Sequence, residues 1–182
     1  MISKSAVAAT LLLVLAAGCG GSGGVLVDSP SSPLGGGGAG LGECVPDPTG
    51  TPMTDGFTVL ENQSKSTAII EQVSFYGAKH LQFVDAVVVP IQYDAIGIVG
   101  GWPPPRWDIT RPGVQWDKRV AAVGARIPPS PAEGADRNLV LGMRPTAHTA
   151  TAAGVQVLYR ENGQQYELRT GAGVEVLAAK SC

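Results

Sequence analysis

The chain's strongest signal is an alternation of apolar and polar side chains with a period of two, the repeat of a half-buried strand. Phe57 and Val59 share one face of Phe57–Glu61, and Ile69, Val73 and Phe75 share one face of Thr67–Phe75. In Leu81–Ile91, Phe83, Val87 and Val89 fall in register with Asp85 between them, and the run stops at Pro90. Val120–Ile127 and Asn138–Met143 read as two more strands. Val155–Arg160 turns at Asn162-Gly163 into Gln165–Leu168; Asn-Gly between alternating runs signals a two-residue hairpin, because both residues accept positive φ. Val174–Leu177 closes the series. No segment after residue 18 carries the 3.6-residue stripe of a helix. Residues 43–182 are therefore expected to form one all-β domain, an antiparallel β-sandwich of Ig-like or cupredoxin-like type with about seven or eight strands.

Ahead of that domain the pattern dissolves. Gly20–Gly24, Ser29–Pro33 and the run of glycines from Gly35 have few side chains to bury and much backbone entropy. Residues 19–42 are expected to be a flexible, disordered linker, with a coil reach of roughly 25 Å. Residues 1–18 differ again. Lys4 gives a thin positive region, Ala6–Ala17 an apolar core, and Leu15-Ala16-Ala17-Gly18 small residues directly before Cys19. The apolar run falls well short of the ~20 residues that cross a bilayer. This arrangement resembles the signal peptide of bacterial lipoproteins, with Leu15 one position further from the cysteine than that family usually places its leucine. The resemblance implies that Cys19 is acylated and becomes the new N-terminus. Ala16 and Gly18 also satisfy plain secretory cleavage. Both routes put the mature chain outside the cytoplasm, and acylation would anchor it to the outer side of the cell membrane.

The chain has 3 Cys. With Cys19 acylated, Cys44 and Cys182 remain as an expected disulfide in an oxidising compartment. Closing so long a loop stabilises a fold by up to about 5 kcal/mol on the chain-entropy model.

Charge excludes one class of partner. With 13 basic and 15 acidic residues, no nucleic-acid footprint is present. The unusual segment is Gly101–Trp116, which holds all 3 Trp (Trp102, Trp107 and Trp116) beside three consecutive prolines. Such a segment is a stiff loop or an edge. Its indoles either fold back to cap one end of the sandwich or offer a partner surface for sugar rings, prolines or aromatics. Arg106, Arg111, Lys118 and Arg119 against Asp108 and Asp117 make the neighbourhood mildly basic, suited to an anionic wall polymer or lipid head-groups.

For a metal the sequence offers His80 and His148 with Met53 and Met143, and they lack the tight Cys–His–Met cluster of a copper site. Neither histidine sits in a recognisable catalytic order with a serine or acid. No cofactor, metal site or enzymatic activity is expected. The reading is a lipid-anchored, non-enzymatic binding domain that recognises an envelope partner or cell-wall component through Trp102, Trp107, Trp116, Arg106 and Arg111. The alternative is an extracytoplasmic carrier of metal or a small molecule, using His80 or His148 and Met143.

Overall fold

A computed structural model describes residues 32–37, 43–46, 50–130, 136–171 and 173–177. The expected signal peptide (residues 1–18), Cys19 and Cys182 lie outside the described residues. In chain order the strands are β1 (Leu34–Gly37), β2 (Glu43–Pro46), β3 (Met53–Asn62), β4 (Ala68–Tyr76), β5 (Leu81–Pro90) and β6 (Gly97–Gly100). A single helical turn, α1 (Arg106–Ile109), and a 3-10 turn at Trp116–Lys118 follow. Then come β7 (Val120–Ala121), β8 (Arg126–Ile127), β9 (Arg137–Pro145), β10 (Thr149–Ala152), β11 (Gly154–Glu161), β12 (Gln164–Arg169) and β13 (Val174–Leu177).

The molecule is an all-β sandwich. One sheet has six strands in the order β1-β3-β9-β5-β7, with β6 continuing the β1 edge of β3. The facing sheet is β12-β11-β4-β8. Leu60, Leu139, Leu141, Ala86 and Val88 of the first meet Ile70, Val73, Val155, Val157 and Tyr159 of the second in the main core. A small third sheet, β10-β13-β2, packs Ala150, Ala152, Val174 and Val176 on Met53, Leu81 and Met143. Almost every pairing is antiparallel; β13 and β2 run parallel.

The described strands number thirteen rather than seven or eight, because several are only two to four residues long. The run Val120–Ile127 is two strands. β7 pairs with β5 in one sheet and β8 with β4 in the other, so this segment crosses between the layers. The register of β5 also departs from simple alternation. A bulge between Phe83 and Asp85 places two residues opposite one step of β9, and Asp85 Oδ1 accepts the Ala86 N–H at 2.8 Å. Phe83 therefore packs on the main core, while Val87 and Val89 face the other way.

The expected linker also needs correction at its C-terminal half. Leu34–Gly37 form a strand on β3, and Leu34 is 1% exposed in the core. Tyr159 Oη accepts the Leu34 N–H at 3.1 Å and shares a 2.6 Å hydrogen bond with Ser32 Oγ. The glycines are needed for contact, not slack: a Cβ on Gly36 would stand 2.9 Å from Thr170 Cγ2 and 3.2 Å from Leu168 Cδ2.

Candidate functional site

β9 is apolar on both faces. Leu139 and Leu141 point into the sandwich, whereas Val140 packs outward with Val89 and Ile96. A sheet buried on both sides needs a cover on each. The outer cover is the excursion between β5 and β7, whose Trp102, Val114 and Trp116 pack on that second cluster. The tryptophan segment therefore lies over the outer face of the six-stranded sheet, rather than capping its end.

Polar contacts pin this layer down. Thr54 Oγ1 donates to the Gly101 carbonyl at 2.6 Å, and the Gln115 N–H donates to the Pro90 carbonyl at 3.1 Å. Asn138, fully buried at the start of β9, accepts the Ile96 N–H at 2.9 Å and donates to the carbonyls of Gly56 and Thr58. Trp102 lies so close over Gly142 that a Cβ there would fall 2.6 to 2.9 Å from three indole carbons.

α1 starts directly after Pro105, where a missing N–H costs nothing. Three residues apart on this turn, Asp108 and Arg111 form a 3.2 Å ion pair. Asp108 is fully buried, and its Oδ2 has no hydrogen-bond partner among the described residues. Burial raises its pKa, and the Arg111 guanidinium opposes that rise. Arg111 also donates to the Ile96 carbonyl, joining the turn to the outer cluster. Charge counting alone sets Asp108 against the basic residues of the segment; the Asp-x-x-Arg spacing after a proline is the signal that marks it as an anchor.

The five residues expected to contact a partner thus separate into two groups. Trp102 and Trp116 are half-buried against the sheet, and the Arg119 guanidinium sits 5.0 Å over the Trp116 ring. Arg111 is half-buried in its ion pair. Trp107 is 68% exposed on the same turn, next to the exposed Arg106. The result is one indole in water on a turn held from beneath by its neighbours.

A second feature was missed from sequence. Beside β7 a cleft of about 530 Å³ is lined by Val88, Pro90, Val120, Val123, Lys118, Arg126 and Arg137, among others. Its residues come from three separate stretches, at 88–90, 118–126 and 137, so no local motif announces it.

The remaining ligand-type residues are dispersed. Met53 and Met143 are buried in the apolar cluster under the third sheet, while His80 and His148 are exposed. Among the described residues there is no group of three or more His, Cys, Asp or Glu placed to hold a metal ion. The backbone of Cys44 lies in β2, paired at Glu175 of the strand that leads towards Cys182. No described helix is long and apolar enough to cross a membrane. No protein-family profile matches this chain, and no curated protein matches it either.

Proposed function

We propose that this chain is a lipid-anchored, non-enzymatic binding domain on the outer side of the cell membrane. It recognises an envelope protein or cell-wall polymer through a surface centred on Trp107 and Arg106. The observation that supports this reading most is the exposure of Trp107. An indole left in water has no role in the core, and hot-spot contacts at interfaces are enriched in Trp and Arg. The turn that carries it is pre-ordered by Asp108, Arg111 and the packed Trp102, so binding would order little new backbone. A flat indole on such a turn suits stacking on sugar rings, prolines or aromatics.

The anchor reading rests on the residues around Cys19, and the parallel pairing of β2 with β13 supports the Cys44–Cys182 disulfide. The test uses native anchored protein, purified insoluble wall polymer and cross-linked envelope extract. One of these should retain it, and Trp107→Ala should weaken retention about thirtyfold, the ~2 kcal/mol of a hot-spot aromatic, at unchanged melting temperature. Equal retention of Trp107→Ala would overturn the surface assignment. The mass of a diacylglyceryl adduct on Cys19, and a Cys44–Cys182 peptide that separates only on reduction, check the two cysteine assignments.

A further inference from the structure

The cleft beside β7 combines apolar walls with basic side chains. Val88, Val120, Ala121, Val123 and Ala125 supply the walls, with Val120 52% and Val123 62% exposed. Lys118, Arg126 and Arg137 line it, and no carboxylate does. Lys118 and Arg126 form no ion pair among the described residues, while Arg137 donates to the Asp136 carbonyl. Along the chain Asp117 adjoins Lys118 and Asp136 adjoins Arg137, while no acid lies within six residues of Arg126.

The place of the cleft in the fold points to its ligand. Across the six-stranded sheet, Leu34 pairs with Asn62, Leu60 with Arg137, Arg137 with Pro90, and Val88 with Val120. The described chain thus begins, at Ser32, at the same end of the sandwich as Arg137 and the cleft. Twelve residues lie between Cys19 and Ser32, and a flexible Gly/Ser-rich chain of such a length would reach roughly 20 Å.

We propose that the cleft binds the phosphate head-group of an anionic lipid in the membrane that carries the Cys19 anchor. Lys118 and Arg126 face the phosphate, Val120 and Val123 enter the interfacial layer, and this end of the sandwich rests on the bilayer. The orientation rests on the anchor reading above, whereas the head-group site can be tested without it.

The chain carrying Cys19→Ser keeps every described residue and removes the acylation site. It should co-sediment with vesicles of mixed phosphatidylglycerol and phosphatidylcholine, not with phosphatidylcholine alone, and raised salt should release it. Neutralising two cations at the surface with Lys118→Gln and Arg126→Gln should weaken binding about 25-fold. The charge-preserving pair Lys118→Arg and Arg126→Lys should restore it, and this separates charge from folding. Equal binding to both vesicle types, or no effect of the neutral pair, would overturn the proposal. So would full displacement by inorganic phosphate at matched ionic strength, which would assign the cleft to a free anion. If Cys19 proves unmodified while vesicle binding persists, the anchor fails and the head-group site stands. An acylated Cys19 with no head-group preference gives the reverse.

Discussion

At the scale of single residues, Asp108 and Glu71 set opposite responses to acid. The Asp108 carboxyl is raised, chiefly by burial. A group easier to protonate when folded adds stability below its unfolded value, and that contribution fades as pH rises through the folded value. Glu71 is lowered, first by the hydrogen bond from Arg160 and then by that from Gln165. Its contribution is present above the ordinary glutamate range and fades as pH falls through the lowered value. Acidification from neutrality to about pH 4 should therefore lower the melting temperature more steeply in Asp108→Asn than in the parent, and less steeply in Glu71→Gln. Parallel curves for all three chains would show that neither carboxyl governs acid stability. Asn62 makes a related point about legibility. Its Asn-x-Ser sequence fits a glycosylation acceptor but reads better as a turn, and the buried side chain does close one, with Nδ2 donating to the Ser66 and Ile127 carbonyls.

At the scale of elements, the periodicity located the long strands and the hairpin. Asn162 and Gly163 do adopt positive φ, 49° and 80°. The short strands β6 and β10 leave little trace: Gly-Ile-Val-Gly has only two side chains, and Thr-Ala-Thr-Ala alternates over just four small residues. The bulge in β5 broke the expected shared face because alternation cannot register an inserted residue. The outer layer did leave a trace. Val87-Val88-Val89 and Leu139-Val140-Leu141 are continuous apolar runs, which a sheet wet on one face does not use. The fit of that layer depends on Gly142. Gly142→Ala should push Trp102 from its seat, cost about 2 kcal/mol as overpacking does, and shift the indole emission to the red. An unchanged melting temperature and spectrum would mean that Trp102 is not held there.

At the scale of the whole molecule, composition misplaced the domain boundary, because glycine reads as slack whether it is loose or tightly packed. Leu34 was the side chain that carried the information, one large apolar residue ahead of a glycine run. A chain starting at Ser32 should melt like one starting at Cys19. One starting at Glu43 loses the Leu34 burial and both partners of Tyr159, and should be less stable by about 3 kcal/mol, a fall of roughly 10 °C. Equal melting of the two would return β1 to the linker. The strand order has a further consequence for how the chain is made. Within the sheet β3 and β5 are joined only through β9, which the ribosome synthesises after both. Until residue 145 has emerged, the main sheet is two unjoined halves flanking an empty slot. The chain must therefore stay open until its central strand arrives, and that strand is the keystone that locks it.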